Sequence, residues 1–143
     1  MRLVVDTNIL VAELLRARGR ALIQSPLLNL HLAEKMKNET IYELEKRLKI
    51  LINKNKITET IAKQQLENSL ELIEAKIFTF PLSFYESWES EARKRIPRDP
   101  NDWETIALSL ALSCDIWTED RDFFGCGCAI WTTETLLLKL NIN

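Results

Sequence analysis

Hydrophobic positions along the chain alternate between short branched runs and longer stretches at helical spacing. Leu3-Val4-Val5 is a compact apolar run that stops at Asp6, as in a strand buried on both faces. Asp6-Thr7-Asn8 offers a helix cap ahead of Ile9-Leu10-Val11 and Leu14-Leu15, and Gly19 reads as the end of that helix. A second short helix is expected over residues 20–27, leading into a strand near residues 28–32. From residue 33 to about residue 53, Ile41, Leu44, Leu48, Leu51 and Ile52 recur at helical spacing. The polar turn Asn53-Lys54-Asn55-Lys56 separates this stretch from a helix capped by Thr58 and running through Ile73. The two form an expected antiparallel hairpin.

The second half repeats the alternation. A strand is expected over residues 76–80, then a helix over 81–95 carrying Phe84, Tyr85 and Trp88. Asp99 suits an N-cap and Pro100 the first helical position. Residues 101–113 are apolar on most sides, which predicts a deeply buried helix. Ile116-Trp117-Thr118 reads as a strand ending at Glu119-Asp120, and residues 129–131 as another. Thr132 or Thr133 caps a final helix to about residue 140. Trp88, Trp103, Trp117 and Trp131 end apolar runs and are expected in the core. Strands alternating with helices predict one α/β domain over residues 1–143, with a parallel sheet covered on both faces. Ligands in such domains bind beyond the carboxyl ends of the strands.

Composition narrows the chemistry. Lys and Arg total 19 against 21 Asp and Glu, a net charge of −2, so contact with phosphates needs local clusters or bound metal rather than a basic surface. The cysteines are Cys114, Cys126 and Cys128, an odd number with no secretory leader evident, which predicts a reduced, cytoplasmic compartment. Cys126-Gly127-Cys128 is too short and isolated for a metal site, and the lone His31 receives no role. Asp6, Asn8 and Glu13 interrupt the apolar start, which excludes a membrane span there.

Acids fall where ligands are expected. Asp6 follows the first strand, Asp120 follows the strand at 116–118, and Asp102 lies in the first turn of the buried helix before it. Glu43 sits on the margin of its helix's apolar stripe. Carboxylates crowded together repel, and a divalent cation resolves the repulsion. Oxygen ligands suit Mg²⁺ or Mn²⁺, and such a metal activates water against a phosphodiester. Each acid also has a plainer reading: Asp6 as a cap, Glu43 paired with Arg47, Asp102 at a helix dipole, Asp120 and Asp122 as loop acids. Asp6 as the nucleophile of a phosphatase or phosphoacceptor is a rival chemistry.

V-V-D-T-N-I-L at 4–10, Y-E-L at 42–44, D-P-N-D-W at 99–103 and I-W-T-E-D-R-D-F-F-G at 116–125 occur in that order. Together they resemble the acidic segments of PIN-domain ribonucleases. The resemblance implies a three-layer α/β/α sandwich with a protruding helical hairpin and a Mg²⁺ or Mn²⁺ site that cleaves single-stranded RNA. It maps catalytic roles onto Asp6, Glu43, Asp102 and Asp120, and metal ligation onto Asp6, Asp102 and Asp120, with Asp122 as an outer ligand. Asn8 and Thr118 would orient carboxylates or water. Glu39, one turn from Glu43, is the alternative in that segment. Arg93, Lys94, Arg95 and Arg98 form a basic cluster suited to RNA phosphates, with Arg16, Arg18 and Arg20 as a second group. Many such chains resemble VapC, the toxin of toxin–antitoxin pairs, which implies a homodimer and an antitoxin protein as partner. A catalytically inactive RNA-binding module is the non-enzymatic alternative.

Overall fold

The computed structural model describes residues 1–142. Strands β1 (Arg2–Val5), β2 (Asn29–Ala33), β3 (Ile77–Phe80), β4 (Asp115–Trp117) and β5 (Ile130–Trp131) form one sheet. Their spatial order is β3-β2-β1-β4-β5, and every pairing is parallel. Parallel neighbours need crossovers, and helices supply them. Helices α1 (Thr7–Leu14) and α2 (Ala17–Gln24) connect β1 to β2, and α3 (Glu34–Asn53) and α4 (Glu59–Lys76) connect β2 to β3. Helices α5 (Leu82–Tyr85), α6 (Glu89–Arg95) and α7 (Trp103–Leu112) connect β3 to β4, and α8 (Thr133–Lys139) follows β5.

The period-two rule of strands assigns the layers. Leu3, Val5, Leu30, Leu32 and Trp117 join the buried residues of α1 to α4 and α8 on one face. Val4, Ala33 and Ile116 pack on the other face against Tyr85, Ala92, Trp103, Ile106 and Leu108. The expected three-layer α/β/α sandwich is therefore the observed one. In the α3–α4 hairpin, Thr58 caps α4 by accepting from Ile61 N–H at 3.2 Å, and Leu44, Leu48, Ala62 and Ile73 turn inward. No helix among the described residues is long and apolar enough to cross a membrane.

Three expectations change. Gly19 does not end the first helix. That helix stops at Leu14, and Gly19 lies inside α2 against Glu13. A Cβ at Gly19 would fall on the carbonyl oxygen and side chain of Glu13, so close approach explains the glycine. The helix expected over 81–95 is broken by a 3₁₀ turn at Glu86–Trp88, because Tyr85 leaves helical geometry to bury its ring against Trp103. The tryptophans are not uniformly core: Trp103 and Trp117 are buried, Trp131 is half-buried, and Trp88 is 39% exposed.

Alanine in place of an ordinary helical glycine stabilises by about 1 kcal/mol. The contact with Glu13 reverses that sign here. Gly19→Ala should lower unfolding free energy by about 1–3 kcal/mol in urea denaturation, the usual penalty of overpacking; a gain in stability would contradict the close approach of α2 to Glu13.

Candidate active site

The strand order reverses direction between β1 and β4, and this switch point opens a crevice at their carboxyl ends. Asp6 leaves β1 there, its backbone N–H still bonded to Trp117 O at 3.0 Å. Thr118 and Asp120 leave β4 beside it. A cavity of about 370 Å³ lies at this edge, lined by Asp6, Asn8, Ile9, Ala12, Arg16, Glu119 and Asp120.

Asp6 occupies the N-cap position of α1 without capping it with its side chain. Its Oδ2 instead accepts from Thr118 Oγ1 at 2.9 Å across the β1–β4 seam. The same Thr118 oxygen accepts from the Asp120 backbone N–H at 3.0 Å. One hydroxyl therefore ties the first acid to the loop that carries the second, which is the physical content of the T-x-D spacing. Asp120 in turn accepts from Asp122 N–H at 2.9 Å and holds its own 3₁₀ turn.

The carboxyls repel. Asp6 is only 7% exposed. Burial pushes its carboxyl up to about 6; the charge of Asp120 adds to this, while the Thr118 hydroxyl and the N–H groups of Thr7 and Asn8 oppose it. Asp102 is pushed up by burial and then by the charges of Asp99, Asp6 and Asp120. Asp6, Asp102 and Asp120 thus lie within one another's fields. Asp99, expected only to cap, makes no side-chain cap, and its charge is the first of those raising Asp102. Pro100 does take the first position of the 3₁₀ turn Pro100–Asp102 that precedes α7.

Glu43 lies on α3, one turn before Arg47, which shares a cavity wall with Ala12 and Arg16 of the Asp6 crevice. Glu43 is half-buried beside the inward stripe Thr40, Leu44 and Leu48. Glu39 is one turn earlier and exposed. Asp122 turns towards Arg98, 3.8 Å away. Thr118 is buried and Asn8 is exposed at the cavity wall.

The basic cluster divides. Arg93 bonds Glu89 and Pro100 O and stacks 5.3 Å over Trp103. Arg95 bonds Glu91 and Cys126 O. Lys94 and Arg98 are exposed. Of the second group, Arg16 reaches the cavity wall, Arg18 lies 3.8 Å from Glu13, and Arg20 bonds Leu14 O.

Residues unmarked in the sequence also lie at this edge. Glu104 is buried in the first turn of α7, accepting from Tyr85 Oη and pairing with Lys35 at 3.3 Å. Glu119 lines the cavity and accepts from Thr133 N–H at the start of α8. The one available signal for Glu104 was a charged residue inside an otherwise apolar helix.

A family model described as PIN domain matches residues 4–141. The chain belongs to the PIN-domain family. Its members are typically nucleases, and the three-layer PIN fold is the one observed. No curated protein matches the chain significantly.

PIN nucleases generally use divalent cations. Among the described residues, no three His, Cys, Asp or Glu side chains already converge closely enough to hold one. The donor chemistry nevertheless fits. The clustered donors are carboxylate oxygens, two of them hold protons against their ordinary tendency, and the buried Thr7 Oγ1 beside Asp6 has no partner. A hard cation would displace those protons and offset the mutual repulsion.

The repulsion sets a pH dependence. With its carboxyl raised to about 6 from 3.8, the folded chain binds the Asp6 proton more tightly than the unfolded chain. That stability is complete below about pH 4 and lost as pH rises through about 6. Without divalent metal, Asp6→Asn should match the wild type at pH 4 and exceed it at pH 7.5 by roughly 2 kcal/mol in denaturant titrations. Equal stabilities at both pH values would contradict the raised carboxyl.

Proposed function

We propose that this PIN-domain chain is a metal-dependent endoribonuclease acting on single-stranded RNA. The carrying observation is the buried Asp6 carboxyl, held across the seam by Thr118 and within the fields of Asp102 and Asp120 at the switch crevice. Asp6, Asp102 and Asp120 are the residues that would hold Mg²⁺ or Mn²⁺. When bound there, the cation lowers the pKa of a coordinated water and offsets charge developing on the phosphodiester.

The chain's own groups supply the rest. Thr118 fixes the Asp6 carboxylate and, through the Asp120 N–H, the position of the following loop. Asp102, held above its ordinary range by burial and by the charge of Asp99, can accept or return a proton as the leaving oxygen departs. Arg16 at the cavity wall, with exposed Lys94 and Arg98, supplies the cations for RNA phosphates that the net charge does not. Arg93 and Arg95 act through α6, which they hold in place. Asp122 keeps Arg98 near this edge. Glu43 enters only by resemblance, so the working set is the three aspartates with Asp99 beside them.

With Mn²⁺ or Mg²⁺, the purified chain should cleave unstructured RNA, and EDTA should stop it. Asp6→Asn and Asp120→Asn should each lower kcat by about 100-fold or more, and Thr118→Ala by about 10–100-fold. Glu43→Gln should stay within about tenfold of wild type. Wild-type cleavage by Asp6→Asn sinks the proposal; a Glu43→Gln loss as deep as that of Asp6→Asn restores the fourth acid.

The biological reading that goes with this chemistry is a VapC-like toxin, cytoplasmic and homodimeric, held by an antitoxin protein. Phe78, Leu82, Phe84 and Trp88 are exposed around the β3 edge, which gives apolar surface for self-association. Induced expression of the chain should arrest bacterial growth, and Asp6→Asn should relieve the arrest. Unimpaired growth with soluble, RNA-cleaving protein would assign the chain to another cellular role.

A further inference from the structure

The cysteines lie apart from the carboxylates, and the RNA-cleaving chemistry gives them no part. The fold gathers all three, Cys114, Cys126 and Cys128, at the amino-terminal end of β4 and β5. Ile116 pairs with Ile130, so Cys114 and Cys128, each two residues earlier, face one another across the start of that ladder. Both line a cavity of about 230 Å³ together with Ser109 and Asp115. Cys126 is buried at 2% exposure, and its thiol donates to the Cys128 carbonyl at 3.9 Å.

We propose that Cys126-Gly127-Cys128 is a thiol oxidation site, in which Cys128 attacks a hydroperoxide and Cys126 closes the disulfide. The three sulfurs are made unequal by their surroundings. Cys128 is half-buried on an open cavity, with Ser109 in the same wall, Cys126 two residues before it and the Arg95 guanidinium seated over Gly127 between them. Those neighbours favour its thiolate, the nucleophilic form, while burial and Asp115 oppose it. Burial pushes the Cys114 thiol up, and no hydrogen bond joins it to Cys128. Cys126 is closed to a small oxidant, and its thiol is turned towards the residue it would join. Gly127 is in the left-handed region at φ +87, and Arg95 packs where its Cβ would be. This gives the short Cys-Gly-Cys ring its turn and seats the guanidinium over it.

The chemistry balances in two steps. The Cys128 thiolate attacks the O–O bond of hydrogen peroxide; an S–O bond forms, the O–O bond breaks, and hydroxide leaves and takes a proton to become water. The Cys126 sulfur then attacks the Cys128 sulfur; the S–S bond forms, the S–O bond breaks, and hydroxide leaves with the Cys126 proton as a second water. The thiol pair gives up two electrons and the peroxide accepts them.

The test uses the full reduced chain with one equivalent of hydrogen peroxide at pH 7, then alkylation, trypsin and mass spectrometry. Residues 122–139 form one tryptic peptide holding Cys126 and Cys128, and residues 99–121 form another holding Cys114. The expected product is the first peptide lighter by two hydrogens, with Cys114 still alkylated. In Cys126→Ser, a dimedone adduct should collect on Cys128. In the unmodified chain, iodoacetamide should label Cys128 at least about tenfold faster than Cys114, a readout independent of whether variants fold. A cross-link between the two peptides, or labelling of Cys128 no faster than Cys114, would overturn the proposal.

Discussion

The hydrogen bond from Thr118 Oγ1 to Asp6 Oδ2 crosses the seam where the sheet changes direction, and the carboxyl edge is organised around it. Asp6 is buried because β1 is the central strand and its last peptide is still in the ladder with β4. A buried carboxyl needs a partner, and the hydroxyl that answers it also receives the Asp120 N–H. The position of one acid therefore constrains the loop bearing the next. The partner is neutral, so the bond locates Asp6 without neutralising it, and the charges of Asp120 and Asp102 remain to be answered.

An arrangement of this kind is costly to a fold that gains nothing from it. Carboxyls held above their ordinary range are groups the folded chain would rather keep protonated, and such tension concentrates at functional sites. The surrounding structure shows the contrast. Glu13 is as buried as Asp6, yet Arg16 and Arg18 flank it at 3.3 and 3.8 Å. Glu104 has Tyr85 and Lys35. The aspartates of the crevice have hydroxyls, amides and one another. The lack of an internal cation for them is the feature that a hard metal ion complements.

Most of the fold is legible in the sequence because its strands are central and its helices long. Leu3-Val4-Val5 and Ile116-Trp117 read as buried parallel strands since both faces of the sheet are covered, and the stripe from Ile41 to Ile52 reads as a helix since one side packs on the sheet layer. The misreadings share a cause: a residue whose local meaning is overridden by a tertiary contact. Gly19 has the look of a terminator and is a close-packing glycine. Tyr85 has a helical setting and is pulled inward. Asp99 has the look of a cap, makes no side-chain cap and sets its charge beside Asp102. Strand-end acids can be placed from topology, because the residue after a central strand emerges in the crevice. Glu43 cannot be placed that way, because it lies in the middle of α3 and not at a strand end.

Binding of a divalent cation by Asp6, Asp102 and Asp120 at the β1–β4 crevice is the proposal on which the chemistry turns. Crystals of the chain soaked in millimolar Mn²⁺ and measured for anomalous scattering test it without reference to any substrate. The expected result is a peak about 2.0–2.3 Å from a carboxylate oxygen of Asp6 and from at least one of Asp102 and Asp120, the distance at which hard cations bind oxygen. A crevice without a peak, or a peak held by other residues, would contradict it.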